Sequence, residues 1–244
     1  MVDLFTHSGF WTVIPAVILL VIYLMLKIKS YDWKEVVVKG VVSCLFITCA
    51  IITLLANKTY LPGWIIVVGL VFGLSGDILL DLKYVCKEKH KLFTNLGFLV
   101  FGLGHLCFIA AMISVVPNGT DAHALYFILP VLGACLIGFA ILALEKPMKL
   151  VFGDMKLACF LYSICLFSTP LYALSFSILN NFTNQFFVMM FIGGVLFAIS
   201  DLVLSRTYFG EGHETPIDFV LNYIFYYSAQ FVIALSLFLP AALR

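Results

Sequence analysis

Charged residues are scarce in this chain. Only 11% of the 244 residues are Asp, Glu, Lys or Arg, and the formal net charge is +1, whereas a soluble domain carries about 25% charged residues. Hydrophobic residues make up 63%, and the mean hydropathy is +1.12. So little charge could not cover the surface of a soluble domain, and a near-neutral chain offers no electrostatic footprint for nucleic acid. We therefore expect a lipid bilayer around the chain and no nucleic-acid partner.

Alternating hydrophobicity is also lacking, which excludes a transmembrane β-barrel. The apolar runs are continuous and about 18–23 residues long, the length that a membrane-crossing helix needs. The sequence therefore predicts an all-α, polytopic membrane bundle of about eight helices. Short connections without a Pro/Ser-rich linker indicate one domain over residues 1–244, with spans at about 10–26, 36–55, 62–82, 93–116, 125–144, 157–179, 186–205 and 218–239.

The signatures of metal and nucleophilic hydrolases are missing as well. The seven cysteines form no C-x-x-C pair, and only His105 of the five histidines lies well inside a predicted span. A catalytic zinc site takes about three protein ligands, usually histidines, so a zinc amidase of the alkaline-ceramidase type is disfavoured. No G-x-S-x-G, H-E-x-x-H or P-loop sequence occurs. We predict neither a metal nor an organic cofactor.

Basic residues set the expected orientation. Because Lys and Arg concentrate in cytosolic loops, the more basic side of the bundle is predicted to face the cytosol and both termini the opposite side. The opposite side holds only Lys58 and Arg244. The more basic side holds Lys27, Lys29, Lys34, Lys39, Lys83, Lys87, Lys89, Lys91, Lys146, Lys149, Lys156 and Arg206.

Two aspartates, Asp77 and Asp201, lie inside predicted spans three and seven. An ionisable residue at the centre of a span costs roughly 2.5–3.5 kcal/mol, so such residues are concentrated at functional sites. Both precede a basic residue, Lys83 or Arg206, by five or six positions, which places both about 8–9 Å inside the cytosolic end of their helices. Each shares a helix face with small residues, so we expect both to point into the bundle. Asp81, beside Lys83, is expected to reach the headgroup water instead.

A weak internal symmetry relates the two halves of the chain. Gly76-Asp77-Ile78-Leu79-Leu80 resembles Ser200-Asp201-Leu202-Val203-Leu204, and Phe101-xxx-His105 resembles Tyr226-xxx-Gln230. We predict that helices 1–4 and 5–8 are related by a parallel repeat, with the aspartates in equivalent positions.

Two carboxyls in one poorly solvated site cannot both ionise easily, so one keeps a proton while its partner stays charged. Such a pair offers a proton donor and a proton acceptor at neutral pH, which general acid–base hydrolysis requires. A proton-coupled transporter of lipids or small molecules, with the aspartates as a relay, remains the alternative. Broken helices would favour it, but the spans that carry the acids contain no proline.

These residues, in this order and in these helices, resemble the YhhN family of lysoplasmalogenases, whose animal members are eight-span proteins of the endoplasmic reticulum membrane. The resemblance covers nearly the whole chain and rests on Gly76-Asp77-Ile78-Leu79-Leu80, Phe101-xxx-His105, Gly194-xx-Phe197-xx-Ser200-Asp201 and Tyr226-Tyr227-xx-Gln230. It implies hydrolysis of the vinyl-ether bond of a lysoplasmalogen, a lysophospholipid of the membrane, to a fatty aldehyde and glycerophosphocholine or glycerophosphoethanolamine.

The resemblance also implies roles for individual residues. Asp77 and Asp201 would be the catalytic pair, without a choice of which is the acid, and Lys83 or Lys149 would hold the headgroup phosphate. Other polar side chains would orient water or substrate: Ser75, His105, Tyr162, Ser200, Tyr226, Tyr227 and Gln230. A homo-oligomer is one alternative for the assembly of the protein. A relative that binds lipid without catalysing a reaction is a further alternative for its function.

Overall fold

The computed structural model describes residues 8–29, 32–56, 61–116, 124–210 and 215–238. Within those ranges eight helices are long and apolar enough to cross a membrane, and each overlaps one of the predicted spans. The prediction of an all-α bundle is confirmed, and the chain is an integral, multi-pass membrane protein. The helices are α1 (Val13–Lys29), α2 (Trp33–Ala56), α3 (Leu61–Val85), α4 (His90–Val115), α5 (Leu125–Ala143), α6 (Lys156–Leu179), α7 (Gln185–Phe209) and α8 (Pro216–Leu235).

Several positions used above lie outside the described residues. They are Lys58 and Arg244 of the orientation argument, residue 239 at the end of the eighth predicted span, and three of the loop and terminal histidines, His7, His123 and His213.

The main contacts between helices repeat after four helices. α1 packs on α2, α2 on α3 and α3 on α4, just as α5 packs on α6, α6 on α7 and α7 on α8. The two halves meet chiefly where α2 contacts α8 and α4 contacts α6, which are equivalent pairs under the same shift, and α8 also contacts α1 and α3. The packing thus agrees with the predicted 4+4 repeat. We call the end of the bundle at which α3 and α7 end, near Lys83 and Arg206, the basic end.

α3 and α4 cross with their backbones nearly in contact. A Cβ atom added to Gly104 would lie 3.0 Å from the carbonyl oxygen of Gly69, and one added to Gly69 would lie 2.5 Å from the ring of Phe108. Small residues at such crossings let helices approach closely in a membrane, where apolar surface alone gives little driving force. The small-residue face predicted for α3 therefore does lie at a helix contact.

Side-chain caps fix the starts of α7 and α8, the helices that carry Asp201 and Tyr226. The Asn184 side chain accepts a hydrogen bond from the backbone N–H of Phe186 at 3.0 Å, and Thr215 Oγ1 accepts one from the backbone N–H of Asp218 at 3.2 Å. These bonds satisfy N–H groups that a helix start leaves unpaired.

Candidate active site

Asp77 lies on α3 with its side chain almost fully buried. One carboxyl oxygen, Oδ2, accepts hydrogen bonds from Ser43 Oγ at 2.6 Å and from Tyr226 OH at 2.7 Å. The other oxygen, Oδ1, is 3.4 Å from Lys39 Nζ. An ionised carboxyl only accepts hydrogen bonds, so two hydroxyl donors and one cation form a setting suited to the carboxylate.

A second acid, Asp81, lies one turn closer to the basic end. It is 4% exposed and is within 3.0 Å of Lys27 Nζ and 3.3 Å of Lys39 Nζ, and it accepts a hydrogen bond from Tyr23 OH at 2.8 Å. The expectation that Asp81 reaches the headgroup water is wrong, because the two lysines turn inward and pair with it. Lys39 thereby bridges the two carboxyls of α3.

Asp201 occupies a different environment on α7. Its Oδ2 accepts a hydrogen bond from the hydroxyl of Tyr162 on α6. Within the part of the chain that the structure describes, no Lys, Arg or His nitrogen lies within salt-bridge distance of this carboxyl. Asp201 therefore has a phenol partner where Asp77 has a cation.

The two aspartates line one cavity of about 420 Å³, which we call the acid cavity. They reach it from the same depth, since Asp77 and Asp201 are each the seventeenth residue of a 25-residue helix. Eight residues remain to the basic end of each helix, or about 12 Å at 1.5 Å per residue. The other lining residues are Lys39, Leu80, Phe98, Phe101, Tyr162, Ser200, Leu204, Tyr208, Asn222, Tyr223 and Tyr226.

A family model, that of the YhhN family, matches residues 34–237. The chain belongs to the YhhN family. No curated protein and no solved structure matches it. Every residue that lines the acid cavity of this YhhN protein lies inside the matched segment, whereas Tyr23 and Lys27, which complete the Asp81 cluster, precede it.

Two other predicted residues of the YhhN protein lie deeper than the aspartates and are buried. Gln230 Nε2 donates to Tyr226 OH at 2.9 Å, which extends the hydrogen-bond chain from Asp77 away from the basic end. His105 Nδ1 is 3.0 Å from Thr169 Oγ1. Among the described side chains, His105 Nε2 and Gln230 Oε1 are the buried polar atoms that lack a hydrogen-bond partner. Such atoms are suited to hold an ordered water.

The remaining predicted residues are not all brought to the acid cavity. The Tyr227 hydroxyl is 3.3 Å from Ser43 Oγ, behind Asp77, and Ser200 Oγ accepts a hydrogen bond from Asn222 Nδ2 at 2.9 Å within the cavity wall. Ser75 donates to the Val71 carbonyl of its own helix, and its side chain does not line the cavity.

The two lysines predicted for the phosphate differ in position. Lys83 is buried, with its Nζ 3.0 Å from the ring centroid of Tyr208, a residue of the cavity wall. Lys149 is exposed on the loop between α5 and α6 and lines none of the described cavities. The structure thus brings Lys83 to the edge of the site and leaves Lys149 outside it.

Lys39, Ser43 and Asn222 are among the site residues that the sequence interpretation missed. Lys39 was counted only as a basic residue of a loop end, and Asn222 lies near the start of α8, where a polar residue attracts no notice. The signal for Lys39 was its place inside the predicted span 36–55, because ionisable residues within spans are concentrated at functional sites. Within the described ranges, no group of three His, Cys, Asp or Glu side chains is placed to hold a metal ion.

Proposed function

We propose that this protein is a lysoplasmalogenase that hydrolyses the vinyl-ether bond of a single-chain ether phospholipid, with Asp201 as the general acid and Asp77 as the general base. One observation carries the proposal. Two aspartates line the same buried cavity with unequal partners, Lys39 beside Asp77 and Tyr162 beside Asp201. The cation favours the carboxylate on Asp77, whereas burial without a cation favours the protonated form of Asp201.

The chemistry of a vinyl ether suits such a pair. Asp201 donates its proton to the alkene carbon remote from the ether oxygen, and the electron pair of the double bond forms the new C–H bond. The resulting oxocarbenium ion is stabilised by the adjacent carboxylates, as in glycoside hydrolysis. Water adds to the cationic carbon while Asp77 takes the proton of that water. The product of this step is a hemiacetal.

Collapse of the hemiacetal completes the reaction. Its hydroxyl proton returns to the Asp201 carboxylate, the carbon–oxygen bond to glycerol breaks, and the glycerol oxygen takes the proton from Asp77. The products are a fatty aldehyde and a glycerophospho-alcohol, and both aspartates regain their starting states. Tyr162 positions Asp201, while Tyr226 and Ser43 position Asp77. No step requires a metal or an organic cofactor.

The location of the site agrees with a lipid substrate. The aspartates lie about 12 Å from the basic end of their helices, which is between that end and the middle of a bilayer whose thickness is about 30 Å for the hydrocarbon core and about 40–45 Å with the headgroups. Lys83, whose Nζ lies over the ring of the cavity-lining Tyr208, is the cation that would hold the headgroup phosphate. The endoplasmic reticulum membrane is the location that we propose, because the resemblance to the family implies it.

The test is release of fatty aldehyde by the purified protein in mild detergent, with choline and ethanolamine lysoplasmalogens as substrates. We expect wild-type activity that a chelator does not change, and a loss of at least about 10²-fold in kcat for Asp77→Asn and for Asp201→Asn, the usual scale of general acid–base contributions. Ser75→Ala is the matched control, because that hydroxyl bonds only within its own helix, and it should keep wild-type activity.

The outcomes separate the possibilities. If aldehyde release survives either aspartate substitution, the protein is a lysoplasmalogenase, but the proposed catalytic pair of Asp77 and Asp201 is refuted. No aldehyde from a folded wild-type protein would refute the enzyme, and proton-coupled uptake into liposomes would then test the transporter, although α3 and α7 run without interruption.

A further inference from the structure

The outer face of the bundle carries a groove between α4 and α6 that the reaction above does not use. Its volume is about 600 Å³. We propose that this groove binds the hydrocarbon chain of the substrate lipid while the ether end of the same molecule lies between the aspartates. The inference rests on the proposed function and names the chain-binding part of that site. Its apolar lining includes Leu99, Gly102, Leu103, Leu106, Leu161 and Cys165.

The groove and the acid cavity share a wall. Phe98 of α4 and Tyr162 of α6 line both, and their rings stack with centroids 5.3 Å apart and planes 11° from parallel. The Tyr162 hydroxyl also donates to Asp201. A single pair of aromatic rings therefore separates the reacting carboxyls from the groove, and a lipid chain that leaves the acid cavity on this side must pass between or beside them.

The depth of the groove fits a chain and not a headgroup. α4 begins at His90 at the basic end, and the lining residues Asn95 to Leu106 are five to sixteen residues further along it. At 1.5 Å per residue the groove runs from about 8 to about 24 Å along the helix. It starts near the level of the aspartates and ends near the middle of a bilayer whose hydrocarbon core is about 30 Å thick.

The lining has the chemistry that hydrocarbon requires. Apart from Asn95 at the shallow end and the phenol of Tyr162, the described side chains along the groove are aliphatic, aromatic or thiol groups, and none is charged. A phosphate or an ammonium group would lose its hydration there without a partner. A lipid chain would keep its apolar surroundings, and the groove side open to the bilayer gives it a way in.

Gly102 provides the means to fill the groove. A Cβ atom added there meets only Cys165 Sγ, at 3.9 Å, so Gly102→Leu adds its side chain to the groove without a clash at the Cβ. We expect this variant to lower kcat/KM for long-chain lysoplasmalogens about tenfold, the loss of about two buried methylene contacts. A substrate whose chain is too short to pass Phe98 and Tyr162 should react as in wild type. Gly40→Leu is the matched control, because an added Cβ there meets nothing within 4 Å. It should change kcat/KM for neither the long-chain nor the short-chain substrate.

A second measurement needs no turnover. The wild-type protein is irradiated with a saturated alkyl-ether lysophospholipid that carries a diazirine in the middle of its chain, and the labelled peptides are identified by mass spectrometry. We expect labels on the segments 99–106 of α4 and 158–165 of α6, and competition by unlabelled lysoplasmalogen. Labels confined to other helices would refute the proposal that the groove binds the lipid chain. An equal loss of kcat/KM for short-chain and long-chain substrates in Gly102→Leu would also refute it.

The two measurements separate this inference from the proposed function. Aldehyde release by wild type with labels elsewhere refutes the groove and keeps the enzyme. If unlabelled lysoplasmalogen competes with labelling in the groove but no aldehyde is released, the enzymatic activity is refuted and the lipid-binding groove is supported.

Discussion

At the scale of residues, the decisive feature is the pair of lysines that turn inward from the basic end. Lys27 and Lys39 are buried with Asp77 and Asp81, and Lys39 lies 3.4 Å from one carboxyl and 3.3 Å from the other. Two cations and two carboxylates balance in charge, which is what burial of ionised groups requires. Asp201 stands outside this set, and for this reason we propose that it carries the proton for the reaction.

Replacement of Lys39 tests that arrangement. Lys39→Met leaves two carboxylates with one cation, so we expect a loss of about 3–5 kcal/mol in unfolding free energy, the usual result of breaking a buried pair. Asp81→Asn should also destabilise the protein, because it leaves two cations with one carboxylate. The double variant restores the balance of charge, and its thermal midpoint in detergent should lie above that of Lys39→Met alone.

Activity should follow a different order from stability. The double variant still lacks the cation beside Asp77, so its kcat should stay as low as that of Lys39→Met although its stability recovers. Full recovery of kcat in the double variant would show that Lys39 acts only in folding. Strictly additive thermal shifts would show that the charges of Lys39 and Asp81 do not interact.

The sequence was sufficient to predict where the two aspartates lie but not what they contact. Depth follows from counting residues to the basic end, and the small-residue faces indicate a helix contact. The partners could not be deduced, because a lysine near a helix end has a long side chain that can reach the headgroups or fold inward, and the choice depends on packing between helices. The wrong expectation for Asp81 has this cause.

At the scale of helices, the two halves of the bundle offer the same positions with different chemistry. α2 and α6 each have 24 residues, and Lys39 and Tyr162 are the seventh residue of their helices. α3 and α7 each have 25 residues, with the aspartates at the seventeenth. The cation of Lys39 in one half thus lies at the position where the other half has the phenol of Tyr162. Equivalent helices therefore give the two aspartates different partners.

The α3–α4 crossing should tolerate no extra atoms. In Gly104→Ala the new Cβ would lie 3.0 Å from the Gly69 carbonyl oxygen, and a backbone atom cannot move aside as a side chain can. We expect a loss of about 1–3 kcal/mol from overpacking, measured as a lower thermal midpoint in detergent. Gly40→Ala has open space around its Cβ and should leave the midpoint unchanged or raise it. Equal midpoints for the two variants would contradict the close crossing.

Helix number and approximate bounds were accessible from the sequence because each apolar run is long and uninterrupted. Which helices touch was less accessible. The contacts of α2 with α8 and of α4 with α6 join segments far apart in the chain, and only the weak internal repeat indicated that they are equivalent. The stacked pair of Phe98 and Tyr162 could not be predicted, since no local pattern relates two residues on separate helices.

At the scale of the whole molecule, the uneven distribution of Lys and Arg predicts that the basic end faces the cytosol and that both termini face the other side. A glycosylation acceptor tag fused through a spacer to either terminus should be glycosylated in microsomes. The same tag placed beside the exposed Lys146, in the loop between α5 and α6, should remain unmodified. Glycosylation of the loop tag, or of one terminus alone, would contradict the orientation and the even number of spans.

The buried charges of the bundle also bear on how the chain is made. Lys27, Lys39, Asp77 and Asp81 all precede the end of α3 at Val85, so the ribosome delivers both cations and both carboxylates within the first three helices. A lone charge costs up to roughly 2.5–3.5 kcal/mol on entering the membrane from the translocon, the value for the centre of a helix. Paired inside one newly inserted three-helix unit, the charges cancel before the second half of the chain has been synthesised, and Asp201 can arrive later in neutral form. The difference in charge between Asp77 and Asp201 would then be established when α7 inserts beside the charge-balanced first half.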